Sequence, residues 1–126
     1  MKTSISAGEA IYDILSSNEE VAGKVTRIFP VVTDGATLPY IAYRCAGMVQ
    51  QPEKQGIGAD TLRIEVACFT RKYNEGMELA EAVRSALDHA QWQKDGLSMR
   101  SCTLTNREEG WQDDAYLQNL TFNIKI

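Results

Sequence analysis

The period of apolar and polar positions changes once between Thr61 and Asp88, and this change predicts a strand followed by a helix. Leu62, Ile64, Val66 and Cys68 share one face of a period of two. Beyond Asn74 apolar residues recur at helical spacing; they are Met77, Ala80, Val83 and Leu87, widened by Leu79, Ala82, Ala86 and Ala90. A strand with one apolar face and a helix with one apolar stripe predict a two-layer core.

The residues before this stretch predict one helix and two strands. An apolar stripe marks a helix over residues 4–16; its members are Ile5, Ala7, Ile11, Ile14 and Leu15. Thr26–Val32 is a short extended run in which Pro30 cannot donate to a ladder, so we expect an edge strand or a bulge there. Tyr40–Gly47 predicts the second strand, and residues 48–58 predict a long, polar, mobile connection.

The residues after the central helix predict two further strands. Gly96 is the expected turn before a strand over Leu97–Arg107, and Glu108–Asp114 is an expected acidic turn with an exposed Trp111. Tyr116–Ile126 alternates cleanly, as a half-buried strand does. The predicted order is α-β-β-β-α-β-β. It indicates an α+β fold in a single domain over residues 1–126, with a mainly antiparallel sheet of about five strands and two principal helices packed on one face.

Composition narrows the function classes. The 126 residues carry a net charge of −4, which argues against a protein that grips nucleic acid by its phosphates but allows DNA to pass by. No run approaches the roughly 18 apolar residues of a membrane span, and Glu9 and Asp13 interrupt any secretory apolar region, so we expect synthesis in the cytosol and no membrane partner.

Candidate chemistry is sparse. The single histidine, His89, lies near a helix end and has no nucleophile motif beside it, and the three cysteines lack metal-ligand spacing. We therefore predict no catalytic residue, no metal ligand and no cofactor. A divalent cation at Glu108–Asp114 stays open as an alternative reading. Tyr43 and Arg44 are the candidates for a small ligand, but they lie on opposite strand faces.

Surface residues remain as candidates for contact with other proteins. The predicted interface consists of Gln50, Gln51, Glu53, Lys54, Gln55, Arg63, Glu65 and Trp111. Exposed aromatic residues are enriched at interface centres. The alternatives are that Trp111 folds back over the sheet edge and that Arg63 and Glu65 face water.

Five phrases occur in order along nearly the whole chain. They are AIYDILSSNEEVAGKV at 10–25, RIFP at 27–30, LPYIAYR at 38–44, RIEVACFT at 63–70, and E-x-x-x-L-A-E-A-V-R-x-A-L-D at 75–88. Together they resemble the tail-completion or tail-terminator family of long-tailed bacteriophages and prophages; residues 97–115 depart most from it.

The resemblance implies a structural virion protein, assembled in the bacterial cytoplasm and located in the tail, with no catalytic residue. Such proteins form rings, typically six-fold, that cap the head-proximal end of the tail tube, stop its polymerisation and present the surface that joins the head. The implied partners are further copies of the chain, the tail tube protein and the head–tail connector protein, and DNA only passes through the lumen. We expect residues 48–58 to order on contact with the tube or connector. The alternatives are another connector component, such as a stopper, and a small α+β ligand-binding domain.

Overall fold

The computed structural model describes residues 3–31, 37–51 and 59–126, with the backbone alone at Gln51 and Ala59. A 3-10 turn over Ser4–Ala7 leads into the first helix. The helices are α1 (Gly8–Ser17), α2 (Glu19–Ala22) and α3 (Tyr73–Leu87). The strands are β1 (Arg27–Pro30), β2 (Tyr40–Gln51), β3 (Ala59–Thr70), β4 (Trp92–Lys94), β5 (Leu97–Met99), β6 (Ser101–Gln112) and β7 (Ala115–Lys125).

Within the described residues, the main sheet has five strands in the order β1-β2-β3-β7-β6. Only β1 and β2 pair in parallel; the other neighbours are antiparallel. The mixed α+β architecture with a mainly antiparallel sheet is therefore confirmed. Pro30 lies at the end of β1, which is an edge strand, as its missing N–H requires. The short strands β4 and β5 pair only with each other and add a small hairpin to the predicted order.

The main core lies between the helices and one face of the sheet. Its largest members include Ile11 and Leu15 of α1, Leu79, Val83 and Leu87 of α3, Ile64 and Val66 of β3, and Phe122 and Ile124 of β7. The other face, called here the open face, carries a smaller cluster of Tyr40, Phe69 and Ala115 at one end. The Tyr40 and Phe69 rings stack with centroids 4.8 Å apart.

Two apolar residues that the periodicity placed in the core are exposed. Met77 is 42% exposed and Ile5 is 85% exposed. Helix α3 instead turns Gly76 toward the sheet, because the two elements approach so closely there that an added Cβ would lie 2.9 Å from Thr70 Oγ1. The apolar stripe of α3 is rotated accordingly.

Two predicted connections are shorter than expected. Strand β6 continues through Gln112, so the prediction of a turn over residues 108–114 is wrong. The turn consists of Asp113 and Asp114, whose φ angles of 54° and 59° fit a two-residue type I′ hairpin. Strand β2 likewise continues to Gln51, so Met48–Gln51 belong to the sheet, and residues 52–58 lie outside the described residues. The Gly96 turn prediction is confirmed: Gly96 has φ 83° between β4 and β5.

Candidate interaction surfaces

The centre of the open face is polar, and its charges are paired within the chain. Arg44 Nη2 lies 3.4 Å from Glu65 Oε2, and Asn119 Nδ2 donates to Glu65 Oε1 at 3.3 Å. Arg63 is exposed and donates to the Ala46 carbonyl at 3.4 Å. The two neighbouring strands therefore hold the Glu65 carboxylate, and its place in an interface stays a prediction.

Two hollows meet where β1 ends. The larger, called here the edge hollow, measures about 330 Å³ and lies between the 3-10 turn and the exposed margin of β2. Its apolar walls include Ile5, Pro30, Val31 and Cys45, and its floor reaches the core residue Leu62. A second hollow of about 210 Å³ lies on the open face and shares Val31, Tyr43 and Arg44 with the first. The β1 margin therefore offers an apolar recess with Arg44 at its rim.

Val31 has a strained backbone at this rim. Its φ is 62°, a region that β-branched residues rarely enter, and its side chain is 63% exposed. The Val31 N–H donates to the Tyr43 carbonyl at 2.6 Å, which holds the residue in place. Backbone strain of this kind clusters at functional sites.

The opposite edge of the sheet carries an aromatic surface, called here the aromatic corner and formed by Tyr73, Trp111 and Tyr116. Trp111 packs edge-on against Tyr116 with ring centroids 4.9 Å apart, and Tyr73 lies 5.9 Å from Tyr116. Trp111 nevertheless remains 60% exposed, the largest exposed fraction of any aromatic in the described residues. Cross-strand pairing with Tyr116 places Trp111 on the helix side of the sheet.

A hydrogen-bond network next to Trp111 fixes the aromatic corner. The buried Gln118 accepts from Arg107 Nε at 2.9 Å and donates to Glu109 Oε2 at 2.9 Å, while Arg107 and Glu109 lie 3.2 Å apart. A hydrogen bond from Tyr73, and a smaller effect of the hydrogen bond from Gln118, lower the pKa of Glu109. The bond between Tyr73 and Glu109 also raises the pKa of Tyr73. The polar residues before Trp111 on β6 are thus tied to β7 and to the start of α3.

The predicted interface residues that the structure describes do not form one patch. Gln50 lies exposed near the end of β2, Arg63 and Glu65 lie on the open face, and Trp111 lies at the far edge of the sheet. Glu53, Lys54 and Gln55 lie outside the described residues, as does the side chain of Gln51. Sequence reasoning missed the edge hollow. The available signal was the pair of apolar residues, Ile5 and Val31, at the ends of predicted elements.

The described residues offer little reactive chemistry. Burial raises the pKa of Cys68 and Cys102 to about 12, so both stay thiols at neutral pH, whereas Cys45 is exposed. Residues 3–31, 37–51 and 59–126 contain no group of three or more potential metal ligands. None of the helices in this part of the chain has the length and apolar character that a bilayer span requires.

Comparisons with known proteins place these surfaces in context. A family model described as Tail completion protein gp17 matches residues 9–126. The chain also has a similar fold to a protein in the structure described as "Virion of native gene transfer agent (GTA) particle". The TM-score is 0.80 at 16% sequence identity, and the match covers 91% of this chain and 90% of the other. No curated protein sequence matches significantly.

Proposed function

Because the chain belongs to the family of tail completion proteins described as gp17, we propose that it forms a ring that caps the head-proximal end of a phage tail tube. Family membership makes it a structural protein of the virion tail, with a role in tail assembly and no enzymatic activity. The ring would stop tube polymerisation and present the surface to which the DNA-filled head is joined. Residues 1–126 would act in it as one domain.

One observation supports a ring beyond family membership. The edge hollow lies at the β1 end of the sheet, and the aromatic corner lies at the β6 end. A contact between two unlike surfaces is heterologous, and repetition of a heterologous contact generates a closed ring or an open filament. A ring built in this way would use both edges of the sheet in every subunit.

The charges of the chain fit a ring around DNA. With a net charge of −4, the subunits would not hold DNA by its phosphates, so the duplex could slide through the lumen during packaging and ejection. The proposed partners are copies of the chain within the ring, the tail tube protein below and the head–tail connector protein above.

Tube length measures this function directly. Purified tail tube protein is allowed to polymerise, and the chain is added at increasing ratios to the growing ends. We expect electron micrographs to show shorter tubes whose length stops increasing once the chain is added, with density at one end only. An unrelated acidic protein of similar mass is the control. Tubes that continue to grow at a saturating ratio of chain to ends would contradict the proposal.

A further inference from the structure

We propose that the aromatic corner of one copy docks into the edge hollow of the next copy, with Trp111 as the inserted side chain. The inference rests on the proposed function, because it identifies the contact between neighbouring subunits of the ring. Each copy would carry one inserting surface and one receiving surface, at the two ends of its own sheet.

The inserting surface is prominent and fixed. One residue separates Trp111 from the two-residue turn at Asp113 and Asp114, and Trp111 is 60% exposed. The Trp111 indole ring packs on Tyr116, and the Gln118 network holds the neighbouring strands in place. Both contacts limit the motion of the indole before docking. An aromatic side chain of this kind can bury roughly 150–250 Å² in an apolar recess, and tryptophan is the type of residue that anchors interfaces.

The receiving surface has the size and lining for one large side chain. Its volume of about 330 Å³ is at the low end of the roughly 300–1,000 Å³ range of ligand pockets. Ile5 and Val31 stand at its margin with 85% and 63% of their surface exposed, and Leu62 and Ile64 reach it from the core. Exposed apolar side chains around an apolar floor are typical of a surface that another protein covers.

Charge favours a second copy of the chain, docked in this orientation, as the occupant. The hairpin tip next to Trp111 carries two exposed carboxylates, those of Asp113 and Asp114. The edge hollow has Arg44 at its rim, with 54% of the side chain exposed, and the Glu9 carboxylate in its lining lies 3.9 Å from Lys94 Nζ. Docking brings the acidic tip next to the Arg44 guanidinium group, whereas two acidic tips would repel each other. Complementary charge of this kind selects the partner and its orientation.

The exposed thiol in the edge hollow provides a direct test. Cys45 lines the hollow, while Cys68 and Cys102 are buried. Tyr73→Cys places a second thiol in the aromatic corner, on the same side of the sheet as Trp111, at a residue that is 45% exposed. Under mild oxidation we expect a ladder of disulfide-linked oligomers on a non-reducing gel, since every copy contributes one thiol to each of two contacts.

Matched variants separate this contact from random collision. Glu20→Cys adds an exposed thiol on α2, away from both surfaces, and we expect the Tyr73→Cys ladder to form at least about tenfold faster, because docking raises the effective concentration of the thiols. Adding Cys45→Ser should leave dimers only. Adding Trp111→Ala should reduce the rate to that of Glu20→Cys, and Trp111→Phe should keep most of it.

The reaction is run on the purified chain at high concentration and on isolated tails. A ladder that depends on both Cys45 and Trp111 in either sample supports the contact. Its absence from both samples, or a rate equal to that of Glu20→Cys, overturns it. If Tyr73→Cys lowers stability in urea, Glu109→Cys replaces it as the second thiol, because Glu109 faces the same side of the sheet as Trp111. Tubes that stop growing without any ladder would refute this interface and leave the proposed function intact; tails that lack the chain would refute the proposed function itself.

Discussion

The same substitution, glycine to alanine, is expected to change stability in opposite directions in α1 and α3. In a helix interior it normally adds about 1 kcal/mol, because glycine loses more backbone entropy on folding. At Gly76 the new Cβ would lie 2.9 Å from Thr70 Oγ1 and 3.4 Å from Gln118 Cγ. At Gly8 the nearest atom, Tyr43 Cε2, lies 4.0 Å away, an ordinary contact distance.

The net effect at Gly76 follows from what must move. Thr70 is 1% exposed, and its hydroxyl donates to the Lys72 carbonyl at 2.8 Å. Overpacking costs about 1–3 kcal/mol, and a displaced buried hydroxyl about 1–3 kcal/mol more, which outweighs the helix-propensity gain of about 1 kcal/mol. We therefore expect Gly76→Ala to lower the free energy of unfolding by about 1–5 kcal/mol. Gly8→Ala should raise it by about 0.5 kcal/mol, less than in a helix interior because Gly8 begins α1.

Urea unfolding at constant m-value measures both changes. A double-mutant cycle identifies the cause: Thr70→Ala removes the clashing oxygen, so Gly76→Ala should cost about 1 kcal/mol less in that background. If Gly76→Ala is as stable as the wild type, or if its cost is unchanged by Thr70→Ala, α3 does not approach β3 as closely as described. That result would contradict the packing of the helices on the sheet described above.

Three further predictions concern the hairpin tip, the network beside Trp111 and the core. Asp114→Gly should raise the free energy of unfolding by about 0.5–1 kcal/mol, because Asp114 has φ 59° and glycine enters that region without strain; a decrease of that size would contradict the type I′ turn. Hydrogen bonds from Tyr73 and Gln118 lower the pKa of Glu109 from its ordinary 4.5, so their contribution to stability is present above pH 4.5 and is lost as pH falls through the lowered value. The urea midpoint of the wild type should therefore fall more than that of Glu109→Gln between pH 7 and pH 3, and equal falls would refute the network. Phe122→Ala should cost about 3–5 kcal/mol in urea, because Phe122 is fully buried between sheet and helices; a loss below about 1 kcal/mol would contradict that placement.

The central part of the fold could be predicted from sequence because local pattern and tertiary burial agree there. Leu62, Ile64 and Val66 alternate as the strand requires, and their partner strand β7 alternates in the same way. Pro30 identified the edge strand through its missing N–H. These signals depend only on the period of the element and the chemistry of one residue.

The misassigned residues are those whose neighbours decide their environment. Nothing local distinguishes Met77 from Leu79, and only the close approach of Gly76 to Thr70 turns Met77 outward. Gln118 is polar, yet it is 1% exposed, since Arg107 and Glu109 across the strand satisfy its amide. A sequence does not reveal such partners, which explains why the network beside Trp111 was missed.

The edge hollow could not be predicted from the sequence for the same reason: its shape depends on residues that are distant along the chain. Its walls come from the 3-10 turn, β1 and β2, segments whose mutual positions depend on the parallel pairing of β1 with β2. Sequence analysis found Trp111 because it is a large aromatic in an acidic run, but it could not find the recess that we propose as its receptor.

The position and number of copies in finished tails test the central claim most directly. Cryo-electron microscopy of isolated tails with a tagged chain would locate every copy along the tube. The account predicts a single closed ring at the head-proximal end, with neighbouring subunits in contact through opposite edges of their sheets. Copies distributed along the tube, a ring at the distal tip, or a lone subunit at the tube end would contradict it.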